Sequence, residues 1–526
     1  MKWTREWTWP TLGIAAGSSV AAARWLRTRG MYPEPTSHQS QSAQAFRQAR
    51  HRVLILGGGF GGLATALELD RLFAEDSETS ILLVDRNNDL LFTPLLWTVA
   101  NGRANPNDVV VPLRSFQRGR QFHVLHAEIT DIDLERREVA TTAGSRPYDL
   151  LVIALGSVSA LPNLPGLQEH ALLFHTAADA LELRNHLIDA IESAHNTEDP
   201  DERAAWLTFV VCGGGDTGIE LAATIHEYLQ SGLLRQYPWL NDEAVRIVVV
   251  GRADRLVPMS SPRTSDAVRQ SLEREGVEVI TGVAVNGVTA TLVQTEAGDI
   301  PSRTVFWSAG ITASQLVKDL PVAHAGNGAL IVSGTLQIPD RPEIYVVGDA
   351  AWAFDARTRT PIPPTAQAAE HEAAYIAKAI AARHNGSDVQ GFQFTPRGHL
   401  SLLGRHSGVA NVGNVLVSGL PAWLLWHGYY LMHIPDWRKR LRLLNAWITA
   451  GITGRETGQL RLGSHPARTH SPTPRVETNT PSQVIASEKE SPRLRHEDPV
   501  NEASNDSFPA SDPPSWATGQ TPSWRG

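Results

Sequence analysis

A glycine-rich turn between two apolar runs constrains this 526-residue chain more than any other feature. The first run, residues 53–56, leads straight into three glycines in the spacing G-x-G-x-x-G: Gly57, Gly59 and Gly62. A helical pattern follows, and the second run, residues 81–84, ends on Asp85. This order of strand, tight turn, helix, strand and acid is typical of a dinucleotide-binding βαβ unit.

Each part of this unit has a physical role in binding a dinucleotide. Gly57 permits the tight turn, Gly59 lets the backbone approach a pyrophosphate, and Gly62 lets the helix pack closely on the strand. The helix N-terminus offers free N–H groups and a partial positive charge to the phosphates. Asp85 is placed to accept hydrogen bonds from a ribose 2′-hydroxyl. The alternative is a glycine turn with a structural role only.

The same plan occurs a second time. After the apolar run 209–212, three glycines repeat the spacing: Gly213, Gly215 and Gly218. A helical pattern and a strand over 245–250 follow, and further apolar runs end at Gly156 in the first copy and at Gly310 in the second, where a ligand crevice is expected. The sequence therefore predicts an α/β protein with two Rossmann-like dinucleotide-binding domains, one inserted in the other. Two such sites favour FAD in one and a nicotinamide dinucleotide in the other.

The second copy differs where its second strand ends. The position of Asp85 in the first copy is taken by Gly251, and Arg252 follows. Without a carboxylate the preference for the 2′-hydroxyl of NADH is weakened, and an arginine there could pair with the 2′-phosphate of NADPH. The alternative is a solvated Arg252 and a site that accepts both nucleotides.

Composition argues against several classes of function. The net charge of −8 does not suggest a nucleic-acid partner. Cys212 is the single cysteine of the sequence, so no Cys-x-x-Cys redox pair and no cysteine metal site is present, and we expect no metal. Because Cys212 ends an apolar run, it is predicted to be a buried strand residue rather than a reactive thiol.

Changes in composition along the chain predict six regions. The first fifty residues hold a weakly apolar stretch that proline and glycine interrupt, and the last seventy are rich in Ser, Pro, Thr and charge. The regions are an N-terminal arm and linker (1–50), the FAD-binding domain in two parts (51–157 and 312–391), the NAD(P)-binding domain (158–311), a C-terminal membrane-associating, quinone-side segment (392–455) and a disordered tail (456–526). The start of the arm fits a poor signal sequence, an interfacial anchor or a disordered arm. Residues 92–114 are predicted to lie over the cofactor; the alternative is an ordinary packed connection.

Residues 421–450 are rich in tryptophan, tyrosine and leucine, and Pro435 divides them into two short helices. The second helix carries an apolar stripe: Leu441, Leu444 and Ile448. Four basic residues lie near its start: Arg438, Lys439, Arg440 and Arg442. Neither helix is long enough to span a bilayer, so the pattern favours an amphipathic segment at the headgroups of an anionic leaflet. The alternatives are a helical hairpin packed on the domain and a homodimer interface.

From Arg52 to about Gly454 the chain resembles the type II, single-subunit NADH:quinone oxidoreductases, which are FAD enzymes of the two-dinucleotide-domain flavoprotein superfamily. The resemblance rests on six segments: GGGFGG with Asp85, FTPLLWTVANG, GGGDTGIELA, GDAA, TAQAAEHEA and FQFTPRGHLSLLGRHSGVANV. The most specific of these is TAQAAEHEA, which opens a predicted helix with an Ala-Gln pair. The aromatic segment 421–450 is a second specific feature of the resemblance. It implies a peripheral enzyme on the cytoplasmic face of the cell membrane that passes electrons from NADH to a membrane quinone.

The resemblance also implies roles for individual residues. The GDAA motif would hold the flavin ribityl chain through Gly348, Asp349 and Ala350, with Asp349 as the acceptor. Glu220 would lie near the nicotinamide–flavin junction; its alternative is a carboxylate that only complements the helix dipole.

The quinone side would be formed by Gln367 and His371, which lie four residues apart on one helix face. His371 stands where the family has a second glutamine, and it could help supply the proton of the quinone. Its alternative is a packing histidine. Two other functions stay open at this point: an NADPH-preferring quinone reductase, and a flavin redox-sensing module without enzymatic activity.

Overall fold

The computed structural model describes residues 44–238, 240, 245–412 and 415–460. The predicted weak anchor sequence and the tail from residue 461 lie outside the described residues. A helical turn over residues 44–48 carries Phe46, whose side chain is fully buried in the core of the first domain. The folded chain thus starts before the predicted boundary at residue 51, because Phe46 completes that core.

Besides three short 3-10 helices, the first part of the first domain from His51 on contains two α-helices and ten strands among the described residues. In order they are β1 (His51–Leu56), α1 (Phe60–Leu72), β2 (Thr79–Asp85), β3 (Asp89–Leu91), α2 (Leu96–Ala100), β4 (Val110–Pro112), β5 (His123–His126), β6 (Ile129–Asp133), β7 (Glu138–Thr141), β8 (Arg146–Pro147), β9 (Leu150–Ile153) and β10 (Ser157–Ser159). The sequence of residues 122–132 predicts one strand, but the structure has two. β5 pairs with β2 in the central sheet, whereas β6 leaves that sheet to pair with β7.

The second domain repeats the plan with a longer helical layer. Its elements are α3 (Leu167–His170), β11 (Ala171–Leu172), α4 (Ala177–Asn196), α5 (Pro200–Trp206), β12 (Thr208–Cys212), α6 (Asp216–Tyr228), β13 (Arg246–Gly251), α7 (Pro262–Arg274), β14 (Val277–Thr281), β15 (Val285–Val288), β16 (Leu292–Thr295), β17 (Ile300–Pro301), β18 (Thr304–Trp307) and β19 (Ile311–Ala313). The parallel sheet has the order β11-β18-β12-β13-β14. Cys212 is buried in β12 as predicted, and burial raises the pKa of its thiol to about 12.

The chain then returns to the first domain. The elements are α8 (Gln315–Lys318), β20 (Leu330–Ile331), β21 (Gln337–Ile338), β22 (Arg341–Val346), β23 (Ala351–Trp352) and α9 (Ala366–His384). They complete a six-stranded sheet, β21-β22-β9-β1-β2-β5, in which only β21 is antiparallel to its neighbour. The sequence of residues 343–351 predicts one strand, but the strand ends at Val346, because Gly348–Ala350 forms a 3-10 helix.

The two crossings between the domains lie side by side. β10 leaves the first domain and β19 re-enters it, and the two pair as an antiparallel ribbon with Ser157 opposite Ala313. The second domain is therefore inserted in the first, and the parallel sheets confirm the predicted α/β class.

The C-terminal segment contains β24 (His399–Leu402), β25 (Gly408–Val412), β26 (Val415–Ser418), α10 (Leu420–His433) and α11 (Trp437–Thr453). The strands form one antiparallel sheet, and α10 packs on it. The helical conformation is interrupted between α10 and α11, where Pro435 lies. The Asp436 side chain caps α11 by accepting a hydrogen bond from the Arg438 N–H. Among the described residues, every helix is too short or too polar to cross a membrane.

Three of the four basic residues of α11 bind protein groups. Lys439 Nζ donates to Asn107 O, Arg442 pairs with Asp108 at 2.9 Å, and Arg440 Nε donates to Ile434 O. These contacts fasten α11 to the first domain and to its own N-terminal turn. The predicted apolar stripe, in contrast, is exposed.

Two connecting segments are packed between the domains. Within residues 92–114, α2 lies against α4 and α6, and Trp97 stacks on Phe174 with 4.2 Å between ring centroids. Residues 456–460, predicted as the start of the tail, lie on α4 and α6: Tyr228 Oη donates to Glu456 O, and Leu460 N–H donates to Asn185 Oδ1.

Candidate active site

The first glycine turn has the geometry that each predicted role requires. Gly57 adopts φ +102°, and a Cβ added there would lie 2.2 Å from Ala154 O. A Cβ at Gly62 would lie 1.9 Å from Gly57 O, so the start of α1 is in close contact with the turn. At Gly59 no atom lies within 4 Å of an added Cβ. Of these three glycines, Gly59 is thus the one at which the backbone is open to a ligand, as its predicted approach to a pyrophosphate requires.

The second turn has the same arrangement. A Cβ added at Gly218 would lie 1.8 Å from Gly213 O, whereas Gly215 faces open space. The N-terminus of α6 points its free N–H groups into that space. Gly310 lies three residues beyond the end of β18 and has φ +104°; the chain between them passes the turn at Ser308, since a Cβ added at Gly213 would lie 2.7 Å from Ser308 O.

The strand ends beside the two turns differ in charge. Asp85 Oδ2 accepts from the Gly58 N–H at 2.5 Å and Oδ1 from the Asn87 N–H at 2.6 Å, so its carboxylate is held across the first turn. At the matching place in the second domain, a Cβ added at Gly251 would lie 3.3 Å from Gly214 N. Gly251 therefore occupies the position of Asp85 without a carboxylate. Arg252, which follows it, is exposed.

The GDAA turn is held from two sides. Ser157 Oγ donates to Asp349 Oδ2 at 2.6 Å, directly beyond Gly156. The Gly348 N–H donates to Glu372 Oε2 at 2.6 Å. Burial raises the pKa of the Glu372 carboxyl to about 8. Sequence analysis missed Glu372, although an acid on the alanine-rich, buried face of a helix is a signal that could have identified it.

Glu220 lies one turn into α6 and is enclosed by the C-terminal segment. Its Oε1 accepts from the Leu402 N–H at 3.0 Å. Burial raises the pKa of its carboxyl to about 8, and the neighbouring Asp216 acts in the same direction. This environment differs from that of a solvated carboxylate that only complements the helix dipole.

Aromatic rings connect the first glycine turn to α10. Phe60 and Phe92 are 5.6 Å apart between ring centroids, Phe92 and Tyr430 6.4 Å, and Tyr430 and Trp426 4.7 Å. Burial raises the pKa of the Tyr430 phenol, and the charges of Glu220 and Asp216 add to the rise. Helix α10 thus reaches the region between the two dinucleotide turns, which its lipid-like composition did not reveal.

Gln367 and His371 form a separate group on α9. They share one helix face, half-buried, and the opposite face of α9 packs on α1. The His371 ring meets Phe394 edge-on at 5.6 Å, and burial together with Arg397 lowers its pKa. A cavity of about 240 Å³ lies beside it, lined by His371, Ala374, Tyr375, Lys378, Phe392 and Gln393.

Comparison with known proteins identifies the family. The model of the pyridine nucleotide-disulphide oxidoreductases matches residues 51–373. A type II NADH:quinone oxidoreductase of Mycobacterium tuberculosis is 32% identical over 441 residues, which cover 81% of this chain and 92% of that protein. This chain belongs to the type II NADH:quinone oxidoreductases. A demethylphylloquinone reductase of Synechocystis is also 32% identical, over 76% of this chain and 96% of its own length.

A solved type II NADH dehydrogenase supports the same fold. The NDH2 of Plasmodium falciparum, in complex with NADH, aligns with a TM-score of 0.70 at 20% identity and covers 78% of this chain and 100% of its own. Membership of this family implies that the protein binds FAD, and the residues at the first glycine turn and the GDAA turn fit that cofactor. The open turn at Gly59, the carboxylate of Asp85 at the strand end and the Ser157–Asp349 pair provide partners for a pyrophosphate, a ribose and a polyol chain.

Proposed function

We propose that this chain is an FAD-dependent enzyme that oxidises NADH and reduces a membrane quinone without moving protons across the membrane. The observation that supports this most is the pair of open glycine turns, at Gly59 and Gly215, with the half-buried carboxyl of Glu220 one helical turn beyond the second. Bound FAD would supply the two-electron chemistry, taking a hydride from NADH and passing electrons to quinone. The protein supplies binding, orientation and proton control.

The first domain would hold FAD along one line. The N-terminus of α1 faces the pyrophosphate, and Asp85 accepts from the adenosine ribose. Asp349, fixed by Ser157, accepts from the ribityl chain. The Glu372–Gly348 hydrogen bond keeps that turn in place from behind.

The second domain would hold NADH. Gly213, Gly215 and Gly218 let its pyrophosphate lie against the N-terminus of α6. Because its pKa is about 8, Glu220 is protonated at neutral pH. Its Oε1 accepts from the Leu402 N–H, which holds the carboxyl in place, and the protonated group could give its proton to a reacting group.

Gln367 and His371 would form the quinone side. The Gln367 amide can donate to one quinone carbonyl. His371 is neutral at pH 7 because its pKa is lowered, and its ring N–H can donate to the same ligand and assist its protonation.

The C-terminal helices would lie on the cytoplasmic leaflet of the cell membrane. Their exposed apolar residues are Leu420, Leu424, Leu425, Met432, Trp437, Leu441, Leu444, Ile448 and Ile452. A large group of exposed apolar side chains on two consecutive helices is typical of interfacial membrane binding. The second occupant that this surface would suit is another copy of the chain, in a homodimer.

A second nucleotide is favoured by one specific observation. Gly251 leaves the second site without the carboxylate that Asp85 provides in the first, and exposed Arg252 follows it. An arginine there can bind a 2′-phosphate, so NADPH is the second candidate substrate.

The test is steady-state oxidation by the FAD-loaded protein. We expect NADH oxidation that depends on an added soluble quinone, with one quinone reduced per NADH. Bound FAD with negligible quinone-dependent oxidation of either nucleotide would contradict the proposal and favour a redox-sensing role.

A further inference from the structure

Asp216 places a negative charge at the start of the second dinucleotide turn. It is the first residue of α6 and follows the open Gly215 directly. The matching residue of the first turn is Phe60, which carries no charge. A carboxylate in the first turn of a helix is favourable for the helix itself, but it competes with a phosphate for the same positive end. The nicotinamide nucleotide site thus contains a group that opposes its ligand.

A histidine from another part of the chain is in contact with this acid. His399 lies on β24 of the C-terminal sheet, and its Nε2 is 2.6 Å from Asp216 Oδ1. Ser401 Oγ lies 3.3 Å from the same histidine nitrogen and 3.4 Å from the same carboxylate oxygen. The pair is thus a defined contact between α6 and β24, and the hydroxyl of Ser401 braces it.

We propose that His399 is a positioning residue of the nicotinamide nucleotide site: its imidazolium cancels the charge of Asp216 and so allows the pyrophosphate to bind at the start of α6. The inference rests on the proposed function of that turn. β24, which carries His399, is a strand of the sheet on which α10 packs. The C-terminal segment proposed to meet the membrane therefore also contributes to the affinity for the nucleotide, through His399.

The charges around His399 decide how its effect depends on pH. Asp216 and Glu220 face it from α6 and Ser401 from its own strand, and the Tyr430 phenol of α10 lies near the two carboxyl groups. Burial lowers the pKa of the imidazole, but the hydrogen bond and charge of Asp216, with Glu220, outweigh burial and raise it. Below that pKa the His399–Asp216 pair is neutral; above it the pair is negative. Nucleotide affinity should therefore fall as pH rises.

The experiment measures equilibrium binding to the full-length, FAD-loaded protein at pH 6.5 and pH 8.5. ADP-ribose is the main probe because it carries the pyrophosphate without the nicotinamide, and NAD⁺ is the second. We expect His399→Gln to weaken ADP-ribose binding about tenfold at pH 6.5, the size of effect that one uncompensated charge produces a few ångströms from a phosphate in partly screened surroundings. His384→Gln, at the end of α9, is the matched control.

The partner variant makes the test independent of how well His399→Gln folds. Asp216→Asn should bind ADP-ribose about tenfold more tightly than the native protein at pH 8.5, because it removes the negative charge that competes with the pyrophosphate. In the double variant, Asp216→Asn should restore the affinity that His399→Gln loses. Glu220→Gln separates the ionisation of Glu220 from that of His399, and the pH dependence of ADP-ribose binding should persist in it.

Two results would overturn the inference. One is native ADP-ribose affinity in His399→Gln at both pH values, with FAD retained. The other is a double variant as weak as His399→Gln, since that would mean that the histidine acts by packing rather than by charge. If the native FAD-loaded protein binds neither ADP-ribose nor NAD⁺, the proposed nucleotide site itself is wrong.

Discussion

Arg455 and Glu227 form a buried ion pair, with 2.5 Å between Nη2 and Oε1 and side chains that are 5% and 1% exposed. Glu227 lies at the end of α6, and Arg455 directly follows α11 and Gly454. Arg103, which lies just after α2 in the segment 92–114, pairs with the same carboxylate. One carboxylate thus joins the second domain, the first domain and the end of the C-terminal segment.

Replacing Arg455 by alanine should destabilise the protein by about 3 kcal/mol, because removal of one partner leaves a buried charge incompletely compensated. Urea unfolding of the FAD-loaded protein measures the change in the free energy of unfolding. Arg438→Ala, at an exposed arginine of the same segment, is the control and should change it by less than about 0.5 kcal/mol. Equal effects of the two variants would contradict the role of the cluster.

Glu220→Gln should lower turnover about 100-fold while FAD stays bound, since a glutamine holds no transferable proton. The pKa of Glu220 is raised to about 8, so its proton is present below that pH and lost above it. Native kcat should therefore fall as pH rises through about 8, and the variant should lack this step. Loss of flavin with unchanged turnover per bound FAD would instead make Glu220 a structural residue.

Glu372 should support FAD binding through the Gly348 turn. Glu372→Ala removes the acceptor of the Gly348 N–H and should weaken FAD binding about tenfold, which matches the net value of one such hydrogen bond. Glu372→Gln should retain FAD almost fully, because the native carboxyl, with a pKa of about 8, is also neutral at pH 7. Reconstitution of the apoprotein with FAD measures both affinities. If both variants bind FAD as tightly as the native protein does, the Gly348 turn does not depend on its hydrogen bond to Glu372.

Gly251→Asp should move the second site towards NADH. Its carboxylate can accept from the Gly214 N–H, as Asp85 accepts from Gly58, and then from the ribose 2′-hydroxyl. We expect the ratio of kcat/KM for NADH to that for NADPH to rise about tenfold or more. Arg252→Ala should lower kcat/KM for NADPH more than for NADH. Unchanged ratios in both variants would mean that Arg252 is merely solvated.

Leu444→Glu with Ile448→Glu should release the protein from vesicles that contain anionic lipid, because two charges on the exposed stripe oppose burial among acyl chains. Thr449→Glu, exposed on the same helix but outside the stripe, is the control and should still sediment with vesicles. If the double variant sediments normally but a native dimer dissociates in ultracentrifugation, the surface is a subunit interface instead.

The glycine turns could be predicted because their geometry depends on residues close in sequence. Gly57, Gly62 and the strand on either side fix one another locally, so the spacing alone determines the turn and the packing of the helix. The split of residues 122–132 was missed because it depends on where each half pairs: β5 pairs with β2, which is distant in the sequence, whereas β6 pairs with the neighbouring β7.

The remainder of the candidate site depends on contacts over long distances in the sequence. Glu372 meets Gly348 across two elements, His399 meets Asp216 after 183 residues, and Arg455 meets Glu227 after 228. A single sequence contains no local pattern for such pairs. Lys439 and Arg442 show the same limit, since their charge suggested lipid headgroups while the fold directs them to Asn107 and Asp108.

The central claim is the transfer of electrons from NADH through bound FAD to quinone, and anaerobic stopped-flow absorbance of the purified protein tests it most directly. Mixing with NADH should bleach the flavin within milliseconds to seconds, and a soluble quinone added in a second mix should restore the colour. Fast bleaching by NADPH alone would assign the second site to NADPH through Arg252. A flavin that neither nucleotide bleaches would contradict the account.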